Sequence, residues 1–276
     1  MPRRRLRSGG AALGGFDMDA SGGDKGIDLA GRCALVTGAS RGLGRHIAAL
    51  LAEHGARLAL HCRAAEHEAR RLAEQLPGGG HTVLAADLAD PDEAAALPGR
   101  AVRALGGLDI LVNNAGIYER MPAVGEDTAL WRHLWERTIA VNLTAPALIC
   151  EAAVAYLAER RGYIVNVSSR GAFRGEPEAP AYGASKSGLN ALGQSLAIAL
   201  APRGIKVVTV APAWVETDMT RHYLAGPEGE KIRAQFPGGQ VVDPQDLAWT
   251  VLLAVSGRAD ALTGSVIDVN SASYLR

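Results

Sequence analysis

Three side chains with complementary acid–base chemistry lie close together in the sequence. Tyr182 and Lys186 are four residues apart in AYGASKSG, and Ser169 stands thirteen residues before the tyrosine. In a helix, a spacing of four places two side chains on one face, one turn apart. An ammonium near a phenol favours the phenolate, so we expect Lys186 to lower the pKa of Tyr182 from its ordinary value of about 10. The trio therefore predicts proton transfer by Tyr182, with Ser169 polarising a carbonyl or alcohol oxygen.

A glycine-rich segment, LVTGASRGLGRHIAALLAEHG, precedes this trio in the chain. An apolar run predicts a buried strand before the glycines, and an apolar stripe predicts a helix that closes at Gly55. Gly38 allows a tight turn, Gly42 lets the backbone approach a phosphate, and Gly44 lets the helix pack closely. The N–H groups at a helix N-terminus also attract anions. The segment predicts a dinucleotide site, although its spacing is Gly-x-x-x-Gly-x-Gly rather than Gly-x-Gly-x-x-Gly.

The elements that must position these residues alternate between strand and helix patterns, which predicts a parallel sheet with right-handed crossovers. The chain of 276 residues is long enough for one large α/β domain. The predicted strands cover 33–37, 57–62, 82–86, 109–113, 162–168, 205–211 and 265–269. The predicted helices cover 43–54, 66–76, 91–105, 128–160 with a break or bend, 182–202 and 244–256.

Composition narrows the classes of function. The formal net charge is zero, which favours neither nucleic acid nor an anionic membrane as a partner. The sequence contains no uninterrupted run of 18 apolar residues, so we predict no membrane span. The three cysteines form no Cys-x-x-Cys motif, which is typical of buried thiols in a reducing compartment and favours a cytoplasmic protein. His61, Cys62 and His67 lack a second ligand pair, so we predict no metal site.

Residues 1–28 differ in composition from the rest of the chain. They are rich in glycine, serine and charge and show no apolar periodicity, so we predict a disordered tail. Arginines near the start are followed by acidic residues instead of an apolar run, which argues against a targeting peptide. The folded domain is therefore predicted to cover 29–276.

Five motifs in order carry a family resemblance. TGASRGLG, NNAG, VNL around Asn142, NVSS ending at Ser169, and YGASK together resemble the short-chain dehydrogenase/reductase family, in the form with a Tyr-x-x-x-Lys site. The resemblance implies a single doubly wound Rossmann-type domain, with a seven-stranded parallel sheet and helices on both faces. It implies a nicotinamide dinucleotide as cofactor and a catalytic set of Asn142, Ser169, Tyr182 and Lys186. In that set Asn142 holds a water that links Lys186 to solvent.

The resemblance also implies the cofactor contacts, residue by residue. They are Gly38, Ser40, Arg41, Gly42, Leu43 and Gly44 in the glycine turn; Asp87, Leu88, Asn114, Ala115 and Gly116 along the adenosine; Tyr182 and Lys186 at the second ribose; and Pro212, Val215 and Thr217 at the nicotinamide. Two departures from the family pattern are present. Ala213 stands where glycine is usual, and we expect its methyl group to shift the backbone or narrow the site. DVNSAS, after the last predicted strand, stands where two glycines are usual.

The end of the second predicted strand favours NADP(H) over NAD(H). NAD enzymes of this architecture place an acidic residue there, and it binds the ribose 2′-hydroxyl. In this chain Cys62 takes that position, Arg63 follows it, and Arg41 lies in the glycine turn. Guanidinium groups bind a 2′-phosphate through forked, charge-assisted hydrogen bonds. The alternative is that Arg63 is only a solvated surface residue.

The predicted function is NADP(H)-dependent interconversion of a carbonyl and an alcohol, with 3-oxoacyl and polyketide-like carbonyls among the candidate substrates of a ketoreductase. The segment 213–240 combines aromatic rings with glycine and proline and predicts a substrate lid. The sequence does not separate acyl thioesters, polyketide intermediates, sugars and steroids. One alternative is a cofactor-binding sensor or scaffold without turnover, and another is an enzyme that uses the same residues for a different step.

The assembly is predicted from two apolar helices. The helices around 131–160 and 182–202 are rich in Ala and Leu over more of their circumference than one sheet face covers. Apolar surface of that kind indicates an interface, and the resemblance implies a two-fold bundle with the same helices of another copy. We predict a homotetramer, with a dimer as the alternative; the remaining possibility is that both helices pack wholly against their own sheet.

Overall fold

The sheet is the frame that positions the site. A computed structural model describes residues 26–217 and 220–276, and most of the predicted tail, residues 1–25, lies outside the described residues. Within them, seven strands form one sheet: Cys33–Val36 (β1), Arg57–Cys62 (β2), Thr82–Ala85 (β3), Ile110–Asn113 (β4), Tyr163–Val167 (β5), Lys206–Pro212 (β6) and Val266–Val269 (β7). The order is β3-β2-β1-β4-β5-β6-β7, and every neighbouring pair is parallel. The predicted seven-stranded parallel sheet is confirmed, with each strand end within one residue of its prediction.

The helices follow the predicted alternation. They are Gly42–Glu53 (α1), Glu66–Gln75 (α2), Pro91–Leu105 (α3), Thr128–Ile139 (α4), Ala145–Arg160 (α5), Pro180–Leu200 (α6), Arg221–Ala225 (α7), Gly229–Arg233 (α8) and Pro244–Val255 (α9). Three of them begin at aspartate caps. The carboxylates of Asp90, Asp127 and Asp243 accept N–H groups in the first turns of α3, α4 and α9. The short helices α7 and α8 lie inside the segment predicted as a lid.

Helices cover both faces of the sheet, as predicted. On one face α1, α2 and α9 enclose an apolar core that includes Leu60 and Val251. On the other, α3, α5 and α6 enclose a second core that includes Leu111 and Ile149. The strands are buried on both sides, so their residues are apolar without alternation, as parallel sheets require.

The helix predicted over 128–160 is interrupted by one π-helical turn at Ala140–Thr144, between α4 and α5. Such turns widen a helix locally and are frequent at functional sites. By length and a mean hydropathy of 1.6 the whole run 128–160 could cross a membrane, yet 44% of the apolar window is buried in the fold. Helix α5 packs against α3 as part of the core, which accounts for this composition.

The topology places one crevice where chemistry is expected. The strand order reverses between β1 and β4, which neighbour each other in the sheet although two strands separate them in the chain. In open α/β sheets, ligands bind beyond the carboxyl ends of the strands at such a switch point. The glycine turn follows β1, and the NNAG motif spans the end of β4 and the residues after it.

Candidate active site

A cleft of about 510 Å³ opens at the carboxyl ends of the strands. Every residue that the sequence assigned to the cofactor lines it: Gly38, Ser40, Arg41, Gly42, Leu43, Gly44, Arg63, Asp87, Leu88, Asn114, Ala115, Gly116, Tyr182, Lys186, Pro212, Val215 and Thr217. These residues come from six separate segments of the chain. The fold therefore brings the whole predicted set to one surface.

The glycine turn has the conformation that its composition predicts. Gly38 and Gly42 have φ angles of +65° and +52°, in the left-handed region that favours glycine. A Cβ on Gly44 would collide with the carbonyl oxygen of Gly38, so the first turn of α1 lies directly on the loop. Because no side chain stands between the loop and α1, the backbone of the glycine turn can approach a phosphate. This geometry fits the nicotinamide dinucleotide that the resemblance implies.

His61 holds the glycine turn in place, a role that sequence reasoning missed. Its Nδ1 accepts the N–H of Gly38 at 3.1 Å, and its Nε2 lies 3.1 Å from the carbonyl oxygen of Ala86. Burial is the main cause that lowers the pKa of His61, so the ring is neutral, with Nε2–H as the donor. Only the pairing of β1 with β2 brings this ring to the turn, and no local motif signals it.

The loop after β4 is held by the threonine at the start of the glycine motif. The Thr37 Oγ1 atom accepts the N–H groups of Asn114 and Ala115, both at 3.0 Å. The Asn114 amide donates back to the carbonyl oxygen of Thr37 at 2.8 Å. By contrast, Asn113 points into the core and donates to Asn166 Oδ1 at 2.9 Å, so its role is structural.

The predicted catalytic trio is brought together. Tyr182 and Lys186 lie on α6, and the Lys186 Nζ atom is 5.7 Å from the centre of the Tyr182 ring. The ammonium donates to the carbonyl oxygen of Val167 at 2.8 Å. Ser169 follows β5 and forms a side-chain hydrogen bond with Tyr182. The neighbouring Ser168 hydroxyl instead donates to the backbone of Lys186 at 3.1 Å, so Ser169 alone faces the tyrosine.

The predicted effect of Lys186 on Tyr182 is wrong for the cofactor-free protein. Burial raises the pKa of Tyr182 above its ordinary value, and the hydrogen bond with Ser169 only partly opposes this effect. Burial also lowers the pKa of Lys186 to about 8. Desolvation penalises both charged forms and is the largest cause of both shifts, and the four-residue spacing does not report it.

Asn142 occupies the π turn, with its side chain completely buried. Its Oδ1 accepts the N–H of Ile117 at 2.8 Å, and its Nδ2 donates to the Ile117 carbonyl oxygen at 2.9 Å. A Cβ on Gly116 would lie 3.3 Å from Asn142 Oδ1 and 3.4 Å from Lys186 Nζ. The amide therefore sits across a glycine from the lysine, next to the cleft.

A second, smaller cavity of about 150 Å³ adjoins the cleft. Its lining comprises Tyr118, Ser169, Arg170, Gly171, Glu176, Tyr182, Ala213, Trp214, Thr220, His222 and Tyr223. Tyr182 and Ala213 border both spaces. Because Ala213 is outside the left-handed region, its methyl group narrows this boundary without the backbone strain that would demand glycine.

The lid segment packs over this cavity. Its helices α7 and α8 enclose a small apolar core of Val215, Leu224, Ile232, Phe236 and Val242. An isolated parallel bridge between Val215 and Val242 closes the base of the segment. The lid is thus a compact unit with its own core, and its movement stays a prediction.

The end of β2 has the polarity that favours a 2′-phosphate. Cys62 is buried, and the exposed side chains of Arg63 and Arg41 line the same end of the cleft. The three cysteines of the chain are all buried free thiols.

Comparison with known proteins places the chain in a family. A family sequence model described as enoyl-(acyl carrier protein) reductase matches residues 38–271. A 3-oxoacyl-(acyl-carrier-protein) reductase of Vibrio cholerae is 35% identical over 253 residues, which cover 90% of this chain and all of that protein. An L-rhamnose 1-dehydrogenase (NAD(P)(+)) of Azotobacter vinelandii is 35% identical over 90% of this chain and 98% of its own. The structure of a short-chain dehydrogenase of Burkholderia cenocepacia in complex with NADP superimposes with a TM-score of 0.82, at 33% identity over 89% of this chain and 98% of that one. With its five motifs gathered at one cleft, the chain belongs to the short-chain dehydrogenase/reductase family.

Proposed function

We propose that the protein is an NADP(H)-dependent ketoreductase that interconverts a carbonyl and an alcohol. One observation carries the proposal: Tyr182 stands at the boundary between a large cleft that contains the glycine turn and a small, partly open cavity. A cofactor in the cleft and a substrate in the small cavity can therefore meet at Tyr182, close to Ser169 and Lys186. The relatives include an enzyme named for an acyl thioester and one named for a sugar. The proposed function therefore does not specify the substrate.

The side chains divide the work of proton transfer. The pKa of Tyr182 is raised, so at neutral pH its phenol keeps the proton and can donate it to a carbonyl oxygen. Ser169 holds that oxygen with its hydroxyl, and Lys186 holds position through its hydrogen bond to Val167. The dinucleotide supplies the hydride when bound. Positioning and stabilisation of the developing oxyanion are the protein's share of the catalysis.

Asn142 is assigned a supporting role in this proposal. Its amide is buried beside Lys186, across Gly116, which suits the water-holding position that the family resemblance implies. Its hydrogen bonds to Ile117 keep the π turn in register with the cleft. We propose that it connects Lys186 to solvent so that the proton of Tyr182 is replaced.

NADP(H) is preferred over NAD(H) because cationic side chains replace the carboxylate at the end of β2. Arg63 and Arg41 border the cleft there, and forked guanidinium–phosphate contacts contribute about 1.5–3 kcal/mol. We expect at least a tenfold preference for NADPH. Arg63→Ala should weaken NADPH binding by a similar factor and leave NADH nearly unchanged, as measured by fluorescence titration. Equal loss for both cofactors would show that Arg63 is structural.

The decisive test is a spectrophotometric panel of ketones at 340 nm, with NADPH and NADH in parallel. We expect turnover with NADPH, and a loss of about 10²–10⁴-fold in kcat for Tyr182→Phe. Lys186→Ala should lose as much, and Ser169→Ala somewhat less. Tight NADPH binding without turnover on any carbonyl would favour a sensor or scaffold. A folded Tyr182→Phe variant that keeps more than a tenth of the wild-type kcat would remove Tyr182 from its role.

We also propose that the protein is a cytoplasmic homotetramer that acts on a small molecule and binds neither nucleic acid nor membrane. Exposed apolar side chains on two different helices support the tetramer. Ile198 on α6 is 80% exposed, and Trp249 and Leu253 on α9 are 48% and 43% exposed on one helix face. A tetramer with dihedral symmetry needs two different self-complementary surfaces, and a dimer needs only one.

A further inference from the structure

The small cavity beside Tyr182 contains an acidic side chain that the proposed mechanism does not use. Glu176 lies in the loop between β5 and α6 and lines the cavity. A Cβ on Gly171 would lie 2.7 Å from Glu176 Oε1, and one on Gly183 would lie 3.7 Å from Glu176 Cβ. These glycines stand two residues after Ser169 and one after Tyr182. The missing side chain of Gly171 therefore makes room for a carboxylate next to the reacting groups, whereas a methyl group on Gly183 would make only an ordinary contact.

This carboxylate has unused hydrogen-bonding capacity. In the part of the chain that the structure describes, no hydrogen bond or ion pair engages it, and only longer-range interactions with Arg174 and Arg170 favour its charge. Burial is the larger effect and raises the pKa of Glu176. The Arg170 guanidinium is committed elsewhere, since it donates to Gln235 Oε1 at 2.7 Å and to the Ser273 carbonyl oxygen at 3.3 Å. A half-buried carboxylate without partners is unfavourable until a ligand donates to it.

The rest of the lining suits a small ring with polar substituents. Tyr118 packs edge-on against Tyr182 at 5.0 Å between ring centres, and Trp214 packs against Tyr223 at 5.6 Å. Such rings offer apolar faces together with polar edges. Burial, followed by Glu176, raises the pKa of Tyr118 to about 12, so its hydroxyl is neutral and can both donate and accept.

The size of the cavity limits the substrate further. A space of 150 Å³ is half or less of the roughly 300–1,000 Å³ typical of pockets for extended ligands. A cavity of about this volume holds one benzene-sized ring. An extended acyl chain would have to leave the cavity within a few atoms of the reacting carbonyl.

We propose that Glu176 positions the substrate by accepting hydrogen bonds from hydroxyl groups beside the reacting carbonyl. The substrate class that follows is a compact, uncharged, polyhydroxylated carbonyl compound or its alcohol, about the size of one six-membered ring. An ionised carboxylate is purely an acceptor, and O–H···O⁻ bonds are short and strong. It also repels anionic substrates. This inference rests on the proposed function and narrows its substrate.

The test compares four carbonyl compounds as oxidants of NADPH: pentahydroxycyclohexanone, cyclohexanone, 4-piperidone and the acetoacetyl thioester of N-acetylcysteamine. We expect kcat/KM for the hydroxylated ring to exceed that for cyclohexanone at least 100-fold, because a site built to bind hydroxyls discriminates strongly against a substrate without them. Glu176→Leu should lower this ratio at least tenfold, mainly through KM. Glu176→Gln should lower it less, because the amide oxygen still accepts hydrogen bonds.

Two further variants separate positioning from folding. Gly171→Ala adds a methyl group where the Glu176 carboxylate lies, so it should lower the same ratio without removing the glutamate. Glu53→Gln is the matched control, since Glu53 is exposed at the end of α1 that lies farthest from the cleft. It should leave the ratio within twofold of wild type.

The outcomes are distinguishable. A preference for 4-piperidone, which carries an ammonium, or for the thioester would overturn the hydroxyl assignment while leaving the ketoreductase intact. If Glu176→Leu lowered kcat/KM equally for every compound, the role of Glu176 would be structural, and the hydroxyl assignment would also be overturned. Oxidation of NADPH by none of the four compounds would instead count against the proposed function itself, and the inference would fall with it.

Discussion

Lys186, which we propose to be catalytic, is kept where its charge is unfavourable. Its side chain is buried on α6, and burial lowers its pKa from 10.5 to about 8. Between these two pH values the unfolded chain binds a proton that the folded protein does not, so the free energy of unfolding rises with pH in that window. Below about pH 8 the full desolvation cost opposes folding. The protein thus gives up stability at neutral pH to hold an ammonium beside Tyr182.

Lys186→Met should therefore stabilise the cofactor-free protein while it abolishes turnover. Each pKa unit corresponds to about 1.4 kcal/mol. Loss of the hydrogen bond to Val167 reduces the gain in stability by about 1 kcal/mol. We expect a net gain of about 1–3 kcal/mol in the free energy of unfolding at pH 7, measured by urea denaturation. The gain should shrink as the pH rises from 8 toward 10. A variant less stable than wild type at pH 7, or a gain independent of pH, would contradict this explanation.

The turn after β7 carries strain at the positions where the family has glycine. Ser271 and Ala272 have φ angles of 47° and 58°, in the left-handed region that costs a residue with a Cβ about 1–2 kcal/mol. The turn that they form precedes Ser273, whose carbonyl oxygen accepts from Arg170 behind the cavity. This strained turn therefore links the C-terminal segment to the residue that follows Ser169.

Ser271→Gly and Ala272→Gly should each raise the free energy of unfolding by about 0.5–1 kcal/mol. The gain is less than the strain relieved, because glycine loses more backbone entropy on folding. Thermal denaturation of the two variants and their double mutant measures the effect. Asn270→Gly serves as the control, since Asn270 is outside the left-handed region and donates to the Tyr274 carbonyl oxygen at 2.8 Å, so its replacement should destabilise.

At the scale of elements, Arg120 is one of the arginines that join the lid to the body of the domain; Arg170 and Arg174 also do so, through hydrogen bonds to Gln235. Arg120, in the loop after β4, pairs with Glu178 at 3.1 Å and with Glu228 at 2.9 Å. Its guanidinium also lies 5.1 Å from the centre of the Tyr223 ring on α7. These groups are partly exposed, so each pair contributes little to global stability. Their arrangement instead connects the lid to both loops that border the cavity.

Arg120→Ala should raise KM several-fold, change kcat less than threefold, and shift the melting temperature by no more than about 2 °C. The reason is that the variant removes the ion pair between the lid and the loop after β4, while the apolar core of the lid and the hydrogen bonds of Arg170 and Arg174 to Gln235 remain. Arg70→Ala removes the ion pair with Glu66 on α2 and should leave both kinetic constants unchanged. A large fall in kcat with constant KM would show that Arg120 affects the reacting groups and not the lid.

For the whole molecule, exposed apolar side chains on two helices carry our expectation for the assembly. In the described residues Ile198 is exposed on α6, and Trp249 and Leu253 are exposed on α9, four residues apart on one face. Contacts through two different helices would let each copy meet two neighbours about separate two-fold axes.

Light scattering at micromolar concentration should give the mass of four chains of 28.8 kDa each. Ile198→Asp and Trp249→Asp should each reduce the particle to a dimer, because each charge would be buried in one interface. The double variant should be a monomer. Thr250→Asp, at a half-buried polar position next to Trp249, tests whether any charge on α9 has the same effect. A wild-type mass of one chain would contradict the assembly.

The local pattern of apolar and turn residues was sufficient to predict the strands of the sheet. Strand ends were predicted within one residue, since buried parallel strands are continuous apolar runs bounded by glycine and polar turns, as in CALV before the glycine motif. The predicted cofactor residues share one cleft, because motifs that follow parallel strands meet at the same edge of the sheet. The family and its oxidoreductase chemistry follow from the same motifs.

The chemical state of the site was decided only by the tertiary structure. The pKa of Tyr182 depends on what buries it, and the four-residue spacing to Lys186 does not report burial. His61 supports the glycine turn because β1 and β2 pair, and the Glu176 carboxylate lies in the same cavity as Tyr182 because Gly171 lacks a side chain. Periodicity and motifs indicate the local backbone conformation of each segment. The solvation and contacts of a side chain depend on segments that are far away in the chain. The sequence therefore determined which residues line the cleft where we propose the reaction takes place, and the fold determined their charges and the space around them.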